Sequence, residues 1–164
     1  SCAAVALPNA PVMALALFVS FIGDYLMAHK GKKEWMYLLG IVGFSLGHIL
    51  FIAHALTQVH FAKAGLFTGA VLAIWFTPYL LLRVIRKAPK LLQLPVVLYT
   101  IISVASLACA VMTGDILYIL GIASLVFSDT MIAENDFVGN PKTGWIIMPT
   151  YYLCHILVAL SALV

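Results

Sequence analysis

The chain is 164 residues long, 64% of them apolar and only 9% charged, with a formal charge of +3. A soluble domain carries about 25% charged residues, so this chain has too few polar groups to cover a globular surface, and its charge is too weak and too dispersed for nucleic acid. At ~20 apolar residues per spanning helix, the length allows about six spans with short loops and no separate soluble domain, so residues 1–164 are expected to form one all-α membrane bundle.

No basic stretch precedes the first apolar run, so no cleavable signal peptide is expected; the abrupt start at Ser1-Cys2 suggests that earlier residues belong to the protein. The first span, Pro11–Ala28, ends in FVSFIGDYLMA, where Ser20 and Asp24 stand four apart on one helical face. After HKGKKE comes the second span, Trp35–Leu56, with His48 in its interior and Gly40, Gly43 and Gly47 permitting close helix contact. The third, residues 62–82, carries Gly65, Gly69 and an internal Pro78. The fourth, residues 91–112, carries Pro95, with Tyr99 and Ser103 on one face. Both prolines should kink or locally open their helices. The fifth span, Ile116–Ala133, starts behind Asp115, a natural N-cap, and turns Gly121, Ser124 and Ser128 to one side with Asp129 at the margin. The sixth, residues 145–164, places Tyr151, Tyr152 and His155 together. Every separator contains Gly, Pro or charge, as helix ends do. A β-barrel would instead show ~10-residue alternating strands. No internal repeat is evident.

Loop charge sets the expected orientation. Loops one, three and five hold Lys30, Lys32, Lys33, Arg83, Arg86, Lys87, Lys90 and Lys142, against Lys63 alone in the even loops. The odd loops are therefore expected in the cytoplasm and both termini outside, in a bacterial inner membrane or, for a eukaryotic chain, the endoplasmic reticulum. Asp24 then lies about 7 Å inside the cytoplasmic end at 1.5 Å per residue. Asp129, counted from Ala133, lies at a similar depth, with His48 and His155 deeper. A carboxylate inside a span costs roughly 3 kcal/mol, so the two invite a functional reading and a cavity opening toward the cytoplasm.

Plainer readings exist for each group. Asp24 can pair at the interface with Lys30 or Lys33, and Asp129 with Lys142. A buried histidine is often only a packing residue. That both aspartates are purely structural is disfavoured, because ion pairs in a low dielectric barely offset their desolvation. Glu134 and Asp136 read as solvated groups at a helix exit, and His29, His54 and His60 as surface residues. Cys2, Cys109 and Cys154 read as small hydrophobes. The histidines and aspartates show no H-x-x-x-H or H-E-x-x-H spacing, so neither a metal nor another cofactor is implied.

The strings FVSFIGDYLM, GIVGFSLGHILFI, LPVVLYTII, GIASLVFSDTMIAENDF and IIMPTYYLCHILVALS, in this order, resemble the YhhN/TMEM86 family of multi-span membrane proteins. The resemblance runs over about residues 14–163. It implies a lysoplasmalogenase, which hydrolyses the vinyl ether bond of a lysophospholipid substrate. The family's aspartates fall on Asp24 and Asp129, its second-span histidine on His48, and its TYY stretch on Thr150, Tyr151 and Tyr152. His155 stands where the family usually has Gln, and Asp136 where it often has a basic residue. Members are often longer, with about eight spans, so N-terminal material is expected to precede this chain.

Vinyl ether hydrolysis protonates the β-carbon, leaves an oxocarbenium ion and adds water, so it needs one carboxyl that keeps its proton and a second that is ionised, as in paired-carboxylate glycosidases. Asp24 and Asp129 are the candidate pair. Ser20, His48, Tyr99, Ser128, Tyr151, Tyr152 and His155 are candidates for orienting water or binding the polar part of the lipid. Arg86, Lys87 and Lys90 are able to attract phosphate. The alkenyl chain is expected in the cavity between the helices. Two rivals use the same groups: a proton-coupled transporter of lipid or another small molecule, and a paired-aspartate intramembrane protease, whose Gly-x-Gly-Asp string is absent.

Overall fold

The structure, a computed structural model, describes residues 2–29 and 34–164. Lys30, Lys32 and Lys33, and any pairing of Asp24 with them, lie outside the described residues. All regular structure among the described residues is helical. A short helix α1 (Cys2–Ala6) precedes α2 (Pro11–Ala28), α3 (Glu34–Leu56), α4 (Ala62–Tyr79), α5 (Lys90–Thr113), α6 (Ile116–Ala133) and α7 (Gly144–Ser161). Six spans are long and apolar enough to cross a bilayer, as an integral membrane protein requires.

Helices α2, α3, α5, α6 and α7 form a ring in which chain neighbours α2/α3 and α6/α7 pair most closely, α3 meets α5, α5 meets α6, and α7 closes on α2. Small residues set the close approaches. Gly43 lies against the Gly23 backbone, Gly47 against Ser20, and Gly121 against Val158 and the Cys154 carbonyl. The small face of α6 therefore packs on α7. Asp129, at its margin, points instead toward α3 and α5.

Helix α4 stands outside the ring, on α5. It turns Ile74 (77% exposed) and Trp75 (75%) outward, a surface suited to lipid. Gly65 seats it: a Cβ there would come within 2.6 Å of the Ala108 carbonyl and 2.2 Å of Met112 Cγ. Since the obstacle is partly backbone, Gly65→Ala is expected to lower the melting temperature in detergent, at a cost of about 1–3 kcal/mol. An unchanged melting curve would show that α4 is free to shift on α5.

The two expected proline effects differ. Pro78 removes an N–H and crowds the preceding turn, and α4 continues as a π-helical segment, Leu80–Ile85. Pro95 lies inside α5, which runs on to Thr113 as an α-helix. A third, Pro149, lies inside α7, which runs on unbroken; nearby carbonyls take hydroxyl donors, Thr150 to Ile146 (2.8 Å) and Ser128 to Ile147 (3.1 Å). Helix α6 also extends past Ala133, as a π-helical segment Glu134–Val138 that ends at Gly139 in the left-handed region (φ 75°). The two π-helical segments face each other. Asp115 caps α6 through Tyr118 N (3.1 Å).

Candidate active site

Asp129 projects from α6 with its side chain 8% exposed. Its Oδ2 accepts from Tyr99 Oη of α5 at 2.6 Å and lies 3.1 Å from His48 Nε2 of α3. His48 is 1% exposed. Its Nδ1 lies 2.7 Å from Ser106 Oγ, and Ser103 Oγ is 3.3 Å from Nε2. Tyr99, Ser103 and Ser106 recur along α5 at intervals of four and three, so one face of that helix supplies every α5 contact.

Counting protons defines what this cluster holds. The single Ser106 hydroxyl proton is donated to the Ser103 carbonyl at 2.8 Å. In the tautomer that keeps this bond, the Ser106 oxygen accepts from His48 Nδ1–H. Nε2 then faces a carboxyl oxygen at 3.1 Å. A contact of that length carries one proton between nitrogen and oxygen, as imidazolium with carboxylate or imidazole with carboxylic acid. Either way His48 and Asp129 are placed to exchange a proton in a largely buried site.

Asp24, on α2, is separately held: Tyr151 Oη of α7 donates to its Oδ2 at 2.7 Å. His155 leans on the Tyr151 ring, with centroids 4.3 Å apart, and its Nδ1 lies 3.0 Å from the Tyr151 carbonyl. Among the described residues the two carboxylates share no hydrogen bond, but Asp24, Tyr151, Tyr99 and Asp129 are close enough to interact electrostatically. Three other candidates stand apart. Ser20 donates to the Ala16 carbonyl (2.9 Å) and Ser128 to that of Ile147, each tying backbone. Tyr152 is 56% exposed and faces outward.

Asp129 borders a cavity of about 80 Å³, walled by Met27, Ile41, Phe44, Phe76, Val96, Phe137 and other mainly apolar side chains, with polar groups contributed by Tyr37, Tyr79, Tyr99, Thr100, Ser103 and Thr130. The expected polar cavity is thus largely apolar, because the polar groups bond one another along one wall. It lies toward the end of the bundle that carries Arg83, Arg86, Lys87 and Lys90. It admits a few waters and falls well below the ~300 Å³ at which ligand pockets begin. The expected berth for an alkenyl chain is therefore too small for one in this conformation.

Of two acidic residues expected to be solvated, Glu134 is buried and Asp136 is half-buried and hydrogen-bonded. Glu134 is 6% exposed and accepts from Tyr79 Oη (3.0 Å) and Arg83 (Nε 2.6 Å, Nη2 3.1 Å). Asp136 accepts from Tyr37 Oη and Asn135 Nδ2, both at 3.0 Å. The π-helical turn explains both, since it carries the chain on inside the bundle where an exit was expected. It also revises the depth of Asp129. Counted from Val138 rather than Ala133, Asp129 lies about 13 Å from the end of its span, deeper than Asp24, and its contact with His48 sets the two side chains at one level.

No curated protein and no solved structure gives a match to the chain. A family model does, over residues 3–162. With nearly its whole length matched, the chain belongs to the YhhN family.

Proposed function

We propose that this protein hydrolyses the vinyl ether bond of lysoplasmalogens to a fatty aldehyde and glycerophosphocholine or glycerophosphoethanolamine. The observation that carries this reading is the His48–Asp129 pair, placed to exchange a proton, on the wall of an apolar cavity within the membrane-type bundle. Family membership supports it at the level of the family.

In this reading the pair gives its proton to the β-carbon of the vinyl ether. The C=C bond becomes single, and positive charge spreads over the α-carbon and the ether oxygen. Asp24 supplies the negative charge that stabilises this oxocarbenium ion and accepts a proton from the water that adds at the α-carbon. The hemiacetal then collapses: the bond from the α-carbon to the glycerol oxygen breaks, that oxygen takes the proton held on Asp24, and the hemiacetal hydroxyl returns its proton to the His48–Asp129 pair as the aldehyde C=O forms. Tyr99 and Tyr151 hold the two carboxyls in place. The charge bias of the loops supports a cytoplasmic cavity end and termini on the far side, in a bacterial inner membrane.

The direct test incubates purified protein in detergent with lysoplasmalogen and measures aldehyde, with an ester-linked lysolipid as control. Aldehyde from the vinyl ether alone is the expected result; none would favour transport by the same groups. Ser106 positions His48 without reaching substrate. Ser106→Ala is expected to lower kcat about tenfold, to leave KM in place and to alter the pH profile, because the imidazole loses the acceptor that orients Nδ1–H. An unaltered profile would remove that role.

A further inference from the structure

The cavity as it stands is too small for a lipid chain, so some wall has to move to admit one. Helix α4 is the candidate, since it stands outside the ring. Across the cavity's loop-facing end it is tied to α6 by Tyr79, Arg83 and Glu134, where the two π-helical segments meet. The tie is asymmetric. Glu134 is buried and takes three hydrogen bonds, whereas the Arg83 side chain is 56% exposed. The guanidinium meets Glu134 side-on through Nε and Nη2. Its remaining N–H groups form an open edge with the geometry that receives a phosphate in bidentate fashion. Arg86, Lys87 and Lys90, all exposed, follow on the same strip of chain, so the rim stays cationic despite the one buried carboxylate.

We infer that Arg83, oriented by Glu134, is the anchor for the phosphate group of the lipid that enters this cavity. The inference rests on the hydrolase reading for the identity of the lipid, but its geometry is independent of the chemistry. Glu134 follows Asp129 by five residues, or about 7 Å along α6. In a lysophospholipid, the ether oxygen and the phosphorus are separated by five bonds, roughly 6 Å at ordinary bond lengths. A phosphate on the outer edge of Arg83 lies farther from Asp129 than Glu134 does, so the glycerol and the ether linkage span the stretch between this rim and Asp129. Two arginine contacts to a phosphate also compensate for loosening α4, which opens the wall beside Phe76 and Tyr79.

The test uses binding as well as turnover. Two uncleavable lipids are titrated against the purified full chain: a saturated 1-alkyl lysophospholipid and the phosphate-free 1-alkylglycerol of the same chain length. Arg83→Ala is expected to weaken the phosphate-bearing lipid by about tenfold and to leave the alkylglycerol unchanged, which also reports an intact fold. Arg83→Lys should fall between. Glu134→Gln keeps a hydrogen-bond acceptor for Tyr79 but loses the carboxylate that orients the guanidinium, and should weaken the phosphate lipid while leaving the alkylglycerol unchanged. In turnover of lysoplasmalogen, Arg83→Ala should raise KM and spare kcat. Equal losses for both lipids would make the cluster a structural clasp and overturn the assignment, as would unchanged binding of both. If the unmodified protein releases no aldehyde, the hydrolase reading falls, and the two binding titrations still decide the phosphate anchor.

Discussion

Asp129→Asn is expected to reduce aldehyde release by about a thousandfold while the protein still elutes as a folded species in detergent. The amide keeps the shape of the carboxyl, and its oxygen still accepts from Tyr99, so packing among α3, α5 and α6 is retained. What it loses is the proton exchange with His48. General acid catalysis contributes about 10²–10⁴ in rate, and loss of the acid removes most of that. Because His48 and Asp129 are placed to exchange a proton, they should act as a unit. His48→Gln is expected to cost nearly as much, and the double variant little more than either single one. Near-full activity in Asp129→Asn would end the assignment of the acid. Losses that multiply in the double variant would show that the two residues act separately.

The second large effect is at Asp24. Asp24→Asn removes the negative charge that the cation faces and leaves an amide able to bond Tyr151. A loss of about a hundredfold or more in kcat is expected, again with the fold intact. Tyr151→Phe should be milder, since the carboxylate remains and only its orientation relaxes. The pair separates two roles for this residue. If Asp24→Asn retains activity while its melting temperature falls, Asp24 serves to pin α2 to α7 through Tyr151, and the two-carboxylate scheme is withdrawn in favour of His48–Asp129 alone.

Much of the site was legible because helical periodicity is local. Asp129, His48, Tyr99, Tyr151 and Asp24 can each be singled out as polar groups inside apolar spans. Ser103 and Ser106 stand four and seven residues after Tyr99 on the same face, but the role of Ser106 is not legible in the sequence, because serine is common in membrane helices and marks no partner by itself. Glu134 was misplaced for another reason. Hydropathy falls at ENDF, which reads as an exit, yet a π-helical turn keeps that stretch inside and Arg83 neutralises it. The partner comes from fifty-one residues away, beyond the reach of any periodic pattern.

By itself, the sequence determined that this chain folds as about six lipid-facing helices and which residues break that apolar continuity. Those are properties of composition and of rise per residue. Only the tertiary structure decided that Asp129 meets His48 and Tyr99, that Asp24 meets Tyr151, and that the small face of α6 is spent on α7. Rotation about each helix axis is set by backbone contacts at Gly43, Gly47 and Gly121 with residues of other helices. A rotation of one residue, about 100°, would turn Asp129 away from its partners without altering any feature visible in the sequence of its own helix.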